Sequence, residues 1–357
     1  MHYLDRSATT PVRREVLEAM WPYLTSEFGN PSSVHPLGES ANAALEDARK
    51  RIANYLGAKT GEIVFTSGGT ESANAAIKGI SWAAPRGRHL VISAVEHPAV
   101  FEAAKFMERV QGFELTIVGV DRLGRVDLDQ FAAALRDDTT LASVQWANNE
   151  VGTIQPVAEM AAIANAKGVP FHTDAVQAAT LTKGVLPMEG LSALTLSGHK
   201  FGAPKGIGIL YLKTRTSFEP LIHGGAQEKD RRSGTENVAG AVAMATAIET
   251  AEVQNEDRTF AEISQQIDGE PTGDLVNRLA VHYSFVFPGR SGESILVDLA
   301  AKGFYCSSGS ACAAGKSDPS HVLLAMGYSP EVAQTAVRIT GPVSDEFLTT
   351  LSAIIAR

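Results

Sequence analysis

Short apolar runs alternate with amphipathic stretches between about residues 60 and 212. The apolar runs have the length and composition of strands, and they cover residues 62–66, 89–93, 115–118, 141–146, 170–173, 193–196 and 208–212. Apolar positions at helical spacing lie between several of them, over residues 70–82, 99–110, 128–135 and 157–166. This strand-then-helix alternation predicts an α/β fold, in which a mostly parallel seven-stranded sheet is covered by helices on both faces.

The remainder of the chain has a different pattern. An Ala-rich helix is predicted from about residue 236 to 253, and the following residues have the pattern of a smaller α+β unit. Its strands are expected at 283–287 and 337–340, and its helices at 291–301, 319–326 and 344–356. A chain of 357 residues exceeds what one hydrophobic core usually serves. We therefore predict a large domain (13–253) and a small domain built from residues 1–12 with 254–357.

Composition and charge narrow the class of protein. Hydrophobic residues make up 44% and charged residues 20%, as in an ordinary globular protein, and the formal net charge is −9. An acidic chain without a Lys/Arg tract is not expected to bind nucleic acid directly. There is no apolar run of the roughly 20 residues that span a membrane, and the N-terminus lacks a signal-peptide pattern. Only two cysteines are present, which excludes a disulfide framework and favours a cytoplasmic location.

A lysine and a carboxylate follow two of the predicted strands. Lys200 stands at the end of Ser197-Gly198-His199-Lys200, and Asp174 precedes Ala175-Val176-Gln177. A lysine amine can form a Schiff base with an aldehyde, and a carboxylate can hold a pyridine nitrogen protonated. These are the two groups that pyridoxal phosphate (PLP) most needs from a protein. Because ligands gather at the carboxyl ends of parallel strands, the two are expected to meet in one site.

Three further segments carry polar chemistry at strand ends. Ser67-Gly68-Gly69-Thr70 is a strand–turn–helix junction suited to a phosphate, or alternatively a plain turn with a helix cap. His97 is placed to stack on a pyridine ring and exchange protons, or simply to begin a helix before Pro98. Asn149, in Asn148-Asn149-Glu150, is placed to bond a ligand carboxylate or ring oxygen, or to form a turn.

The two cysteines differ in their surroundings. Cys312 lies in Gly309-Ser310-Ala311-Cys312-Ala313, where small neighbours leave the thiol unshielded. This favours a nucleophile over a structural cysteine. Cys306 follows Phe304-Tyr305 and has the pattern of a buried small hydrophobe.

Taken together, the motifs resemble those of NifS/IscS-type cysteine desulfurases. They occur in the same order from residue 3 to about 341, and they comprise Tyr3-Leu4-Asp5 with Ala8-Thr9-Thr10, Gly29-Asn30-Pro31-Ser32-Ser33-Val34-His35, Thr66-Ser67-Gly68-Gly69-Thr70-Glu71-Ser72, Asn148-Asn149-Glu150, Asp174-Ala175-Val176-Gln177, Ser197-Gly198-His199-Lys200, Arg232-Ser233-Gly234-Thr235 and Gly309-Ser310-Ala311-Cys312.

The resemblance implies a fold-type-I PLP enzyme, a homodimer that converts L-cysteine to L-alanine and leaves a persulfide on Cys312. It implies that Lys200 tethers the cofactor, with His97 stacked on the ring and active in catalysis. The other implied cofactor contacts are Gly69, Thr70, Asn149, Asp174, Gln177, Ser197, His199 and Thr235, the last from the second subunit. Asn149 and Arg338 resemble the groups that bind the substrate carboxylate. The Gly-Ser-Ala-Cys form suggests sulfur delivery to an external acceptor, such as an iron–sulfur scaffold or a tRNA-thiolation relay.

Residues 254–290 are short for this family, and Ile339-Thr340-Gly341 departs from its usual sequence. Two alternatives stay open at this point: a selenocysteine lyase, and a PLP-dependent aminotransferase or lyase without thiol chemistry. A non-enzymatic scaffold subunit is disfavoured by the intact set of site residues. No resident metal site is expected, and the sequence leaves open whether Cys312 transiently ligates an iron–sulfur cluster.

Overall fold

The computed structural model describes residues 1–83, 86–178, 188–251, 258–309 and 318–356. Its strands are β1 (His2–Tyr3), β2 (Ile63–Thr66), β3 (His89–Ser93), β4 (Glu114–Val118), β5 (Thr139–Ser143), β6 (Phe171–Asp174), β7 (Ala193–Ser197), β8 (Gly208–Leu212), β9 (Glu270–Pro271), β10 (His282–Val286), β11 (Phe304–Tyr305) and β12 (Val337–Thr340). Its helices are α1 (Arg14–Met20), α2 (Pro22–Thr25), α3 (Pro36–Leu56), α4 (Gly69–Ala83), α5 (Pro98–Gln111), α6 (Leu128–Ala134), α7 (Val157–Ala166), α8 (Gln227–Asp230), α9 (Val238–Glu249), α10 (Phe260–Ser264), α11 (Gly292–Ala301), α12 (His321–Ala325), α13 (Pro330–Ala333) and α14 (Asp345–Ile355).

Seven strands form the central sheet, in the order β2-β8-β7-β6-β5-β3-β4. β3 pairs in parallel with β4 and β5, and the parallel pairing continues through β6 to β7. β8 alone is reversed, since it runs antiparallel to both of its neighbours, β7 and β2. The predicted α/β class with a mostly parallel sheet is confirmed.

Both faces of this sheet are buried, as expected where alternate residues of a strand point to opposite sides. Ile63 and Phe65 of β2 pack into one core with α3, α7 and α9, whereas Val64 packs into another with α4 and α5. In β3, Val91 joins the first core, and its neighbours Leu90 and Ile92 join the second. This two-sided burial explains why the strands appear in the sequence as continuous apolar runs.

The longest helix, α3, was missed by the sequence analysis. Its composition is mixed, and its buried face is interrupted by one charged residue, Arg49. Two end signals were available: Pro36 stands at its first turn, and Gly57 ends it in the left-handed conformation at φ 65°. The sequence also placed β5 two residues too late at its start and three too late at its end. Val144 is buried and Trp146 is partly buried although both lie beyond the strand, so the apolar pattern continues past its end.

A separate core lies in the C-terminal part of the chain. It is built around β10, β12, α11 and α14, with Phe285, Phe287 and Phe347 almost completely buried. The N-terminus joins this core, because β1 pairs with β11 and Leu4 packs inside. The N-terminal segment, defined here as residues 3–10, then runs from this core to the central sheet, where Thr10 N–H donates to the carbonyl of His199 at 2.9 Å.

Candidate active site

A cavity of about 490 Å³ opens at the carboxyl edge of the central sheet. Its size is typical of a small-molecule site, which is usually about 300–1,000 Å³. The lining includes Gly69, Thr70, His97, Asn149, Asp174, Gln177, Ser197, His199, Lys200 and Arg338. Ten residues proposed from scattered motifs therefore lie around one space.

One wall is the beginning of α4, where it follows β2. The first backbone N–H groups of a helix have no partner within the helix, and the helix dipole is positive there. A Cβ on Gly69 would lie 3.0 Å from Cγ2 of Val176 and 3.2 Å from Cβ of Ser197. Glycine thus lets the helix start approach the ends of β6 and β7 closely. The backbone of Gly69 and Thr70 with the hydroxyl of Ser197 forms a recess suited to an anion.

Asp174 is the last residue of β6, and its carboxyl group is buried. The Val176 N–H donates to Oδ1 at 2.9 Å. Burial raises the pKa of Asp174, an effect opposed by the nearby His97, by the Val176 hydrogen bond and by Lys200. A cationic ring N–H at this position would offset that desolvation cost.

Lys200 ends a short 3-10 turn, Gly198–Lys200, directly after β7. Its Nζ donates to the carbonyl oxygens of Ser7 at 2.6 Å and Ala8 at 3.0 Å. Gln177 Nε2 also donates to the Ser7 carbonyl, at 3.1 Å. The N-terminal segment therefore holds the tips of two side chains that the sequence assigned to the cofactor.

Two histidines flank this cavity as neutral rings. His97 caps α5, with its Nδ1 accepting from the Ala99 N–H at 3.1 Å, and burial lowers its pKa. A neutral ring that accepts at Nδ1 carries its proton on Nε2. Burial and the neighbouring Lys200 and Lys205 lower the pKa of His199 to about 4. Both sequence interpretations of His97 fit this geometry, because the residue begins a helix and also lines the cavity.

Arg338 approaches the cavity from β12. Its side chain is 1% exposed, and Nη1 donates to the carbonyls of Asn149 at 2.8 Å and Gly309 at 2.9 Å. Nη2 donates to Oδ1 of Asp5 at 2.7 Å. Within the described part of the chain, Nε is buried and makes no hydrogen bond.

One predicted site residue lies away from the cavity, and a second is outside the described part of the chain. Thr235 is exposed and does not line the cavity, and the sequence assigned it to the other subunit's site. Cys312 lies outside the described residues. Among the residues that are described, no cluster of His, Cys, Asp and Glu has the composition of a metal site, and no helix is long and apolar enough to cross a membrane.

Residues 2–340 match the family described as aminotransferase class-V. The chain belongs to this family. A cysteine desulfurase IscS from Methanosarcina thermophila is 45% identical over 357 residues, which cover 95% of this chain and 86% of that relative. The expected resemblance to NifS/IscS-type cysteine desulfurases is thereby confirmed.

Solved structures are also similar to this chain in fold. One described as a NifS-like protein has a TM-score of 0.88 at 34% identity and covers 99% of this chain and 98% of its own. Another, described as SspA in complex with cysteine, has a TM-score of 0.85 at 34% identity and covers 96% of this chain and 99% of its own. The fold is that of fold-type-I PLP enzymes.

The residues present fit PLP, the cofactor of this family. The recess at Gly69 accepts an anion, the buried carboxyl of Asp174 needs a cationic partner, and the amine of Lys200 lies in the same cavity. When bound, PLP supplies an electron sink for charge that develops on a substrate carbon.

The sequence analysis missed the contribution of several residues. Ser7 and Ala8 act through backbone carbonyls, which leave no side-chain signature. Glu150 lines the cavity and accepts from Ser320 Oγ at 2.5 Å, thereby fixing the start of α12. For the N-terminal segment, the available signal in the sequence was the motif Ala8-Thr9-Thr10, which supported the resemblance but was given no role of its own.

Proposed function

We propose that this protein is a PLP-dependent cysteine desulfurase. It converts L-cysteine to L-alanine and transfers the sulfur to Cys312 as a persulfide. The observation that carries the proposal is the convergence of Lys200, Asp174 and His97 on one cavity in a chain 45% identical to a protein named cysteine desulfurase IscS. The cysteine bound in the SspA structure supports the same substrate.

Each cofactor role is supported by a position in the cavity. Lys200 would be the covalent tether, Asp174 would pair with the pyridine nitrogen, and His97 would stack on the ring. Gln177 would bond the ring oxygen, and Asn149 would be a further cofactor contact. Gly69, Thr70, Ser197 and His199 would hold the phosphate. A neutral His199, with its pKa lowered to about 4, is free to donate one ring N–H without adding a charge.

The substrate carboxylate is assigned to Arg338 with Asn149. Arg338 has five N–H donors, and three of them are engaged by Asn149, Gly309 and Asp5. The donors that remain are Nε–H and one N–H of Nη2. In a guanidinium, Nε–H and the adjacent N–H of Nη2 lie along one edge, and we assign that edge to the two oxygens of the substrate carboxylate.

The sulfur-transfer step balances without an external oxidant. The amine of Lys200 takes the α-proton of the substrate, and the Cys312 thiolate attacks the substrate sulfur. The bond between that sulfur and the β-carbon breaks as the bond between the two sulfurs forms. The β-carbon takes up the proton that the Cys312 thiol released, and Lys200 returns a proton to the α-carbon, which gives alanine. A thiol with an ordinary pKa near ~8.5 is mostly protonated at pH 7. His97 is the group proposed to exchange that proton. Because Nε2 already carries a proton, Nδ1 would take up the thiol proton after releasing the Ala99 N–H.

We also propose a homodimer, in which Thr235 completes the phosphate site of the second subunit. An apolar surface on α1, α2 and the following loop supports this, with Trp21 65% exposed and Phe28 66% exposed. Sedimentation of the holoenzyme at a monomer mass would contradict it. The division into domains of residues 13–253 and 1–12 with 254–357 is retained as a proposal, supported by the separate C-terminal core. Delivery of sulfur to an external acceptor in the cytoplasm completes the proposal.

The test compares the wild-type holoenzyme with Cys312→Ser and, as a matched control, Cys306→Ser. L-Cysteine is added while the visible spectrum, alanine and sulfide are measured with dithiothreitol present. The wild type and Cys306→Ser should produce alanine and sulfide. Cys312→Ser should show the spectral change of substrate binding but produce neither.

Two results would refute parts of this assignment. Alanine formation by Cys312→Ser at the wild-type rate would show that the nucleophile is misassigned and would leave a PLP lyase without thiol chemistry. A wild-type preference for selenocysteine over cysteine in competition would favour a selenocysteine lyase.

A further inference from the structure

Asp5 forms the one ionic contact of Arg338 among the described residues. Its Oδ1 accepts from Nη2 at 2.7 Å, across 333 residues of sequence. Arg338 is 1% exposed, so its orientation decides which of its donors face the cavity. The two carbonyl contacts fix Nη1 only, and Asp5 supplies the contact that fixes the other end of the group.

The backbone around Asp5 is well fixed. The Leu4 N–H donates to the Tyr305 carbonyl at 2.9 Å, and the Leu4 carbonyl accepts from the Thr340 N–H at 2.7 Å. The Arg6 N–H donates to the Thr340 carbonyl at 3.2 Å. Asp5 is therefore held against β12, the strand that carries Arg338, and its side chain has little freedom to move away.

The same segment continues into the cavity. Tyr3 Oη shares its one hydrogen between the carbonyls of Asp5 and Thr9, at 3.0 and 2.8 Å, which ties the two ends of the segment together. Between these points lie Ser7 and Ala8, whose carbonyls accept from Lys200. A residue at position 5 is thus fixed relative to both the arginine and the lysine.

We propose that Asp5 is a positioning residue for substrate binding: it holds the plane of the Arg338 guanidinium so that Nε and the remaining N–H of Nη2 face the α-carboxylate of the amino acid. This inference rests on the proposed function, because it takes Arg338 as the carboxylate-binding group. Asp5 also balances the buried guanidinium charge before substrate arrives. It does not contact the reacting atoms.

The test measures ligand binding separately from turnover. L-Alanine and ethylamine are titrated into the holoenzyme, and the change in the visible spectrum is followed. Ethylamine lacks the carboxylate group of L-alanine and is otherwise the same molecule. Asp5→Asn keeps an oxygen that can accept from Nη2 but removes its charge, so the contact that holds Arg338 becomes weaker. The apparent affinity for L-alanine should fall roughly tenfold, and that for ethylamine should stay unchanged. The KM for L-cysteine should rise by a similar factor, and kcat should change much less.

Two variants control for structural damage. Asp345→Asn removes another ion pair of the same part of the chain, with Arg258, and should leave both affinities unchanged. Asp5→Glu keeps the charge and should recover part of the L-alanine affinity. The melting temperature of each variant is measured alongside.

Two results would overturn the inference. One is an unchanged or tighter affinity of Asp5→Asn for L-alanine. The other is an equal loss of affinity for both ligands together with a lower melting temperature. A tighter affinity would mean that Asp5 competes with the substrate. A wild-type protein that makes no alanine from L-cysteine would refute the proposed function, but the two titrations would still decide the role of Asp5.

Discussion

The cavity has two sides that are built in different ways. The cofactor side (Gly69, Thr70, Asp174, Ser197 and Lys200) follows the ends of β2, β6 and β7, so one sheet positions all of its members. The substrate side (Asp5, Asn149, Gly309 and Arg338) is assembled by contacts between distant parts of the chain. The first depends on strand order, and the second depends on how the N-terminal segment and β12 pack together.

This difference predicts different kinetic consequences. A change on the cofactor side should alter the chemical step, because those residues are the ones proposed to hold the group that supplies the electron sink. A change on the substrate side should alter mainly the binding of the amino acid, because Arg338 and Asn149 are the groups proposed to bind its carboxylate and Asp5 and Gly309 contact Arg338. The Asp5→Asn experiment tests the second statement, and Asp174→Asn tests the first.

Asp174→Asn should have the larger effect. Asparagine has a similar shape, and its amide oxygen can still accept from the Val176 N–H. It carries no negative charge, so it cannot favour the protonated pyridine nitrogen. We expect kcat to fall by at least about a hundredfold, which corresponds to about 3 kcal/mol, with a smaller change in KM. Steady-state kinetics and the visible spectrum of the holoenzyme measure this.

The exposed Asp129→Asn is the control and should behave as the wild type. If Asp174→Asn instead raised KM and left kcat intact, the division between a cofactor side and a substrate side would be wrong. A normal kcat with a normal KM would remove Asp174 from the proposed site.

The contrast also explains what the sequence predicted well. Asp174, Ser197 and Lys200 each lie at or within three residues of the end of a strand, and the ends of parallel strands meet at one edge of the sheet. Strand prediction alone was therefore enough to bring these residues together. Family resemblance added their individual roles.

The substrate side was harder to predict for a physical reason. Nothing in the local pattern around Asp5 or Arg338 indicates that the two side chains meet, since their proximity depends on the pairing of β1 with β11 and on the contact of Leu4 with Thr340. The carbonyl contacts of Ser7 and Ala8 with Lys200 are equally invisible in the sequence, because every residue has a carbonyl. Such contacts require the assembled fold.

Glu96 lies where the two parts of the chain meet. Its Oε1 accepts from Ser93 Oγ at 2.5 Å and from the Gln145 N–H at 2.8 Å, and its own carbonyl contacts Nε2 of His321 at 2.9 Å. Oε2 is buried and has no hydrogen-bond partner among the residues described. Burial, with a smaller contribution from Asp174, raises the pKa of Glu96 to about 8. The side chain is thus held mainly in the neutral, protonated form at pH 7.

Glu96→Gln should have the smallest effect on catalysis and a distinct effect on stability. The ordinary glutamate pKa of the unfolded chain is about 4.3, so between that pH and about 8 the folded wild type binds more protons at this site than the unfolded chain. The free energy of unfolding must then fall as pH rises through this range, by at most about 1.4 kcal/mol per pH unit. Glutamine mimics the neutral carboxyl and removes this dependence.

The measurement is the melting temperature of the holoenzyme from pH 5.5 to 7.5, for the wild type, Glu96→Gln and the exposed control Glu108→Gln. The wild type and the control should lose stability with rising pH more steeply than Glu96→Gln, whose activity at pH 7 should stay within a few-fold of the wild type. Parallel curves for all three proteins would show that Glu96 is ionised in the folded state. Glu96 would then be a buried charge, stabilised by the hydrogen bonds that Ser93 and the Gln145 N–H donate to its carboxyl group.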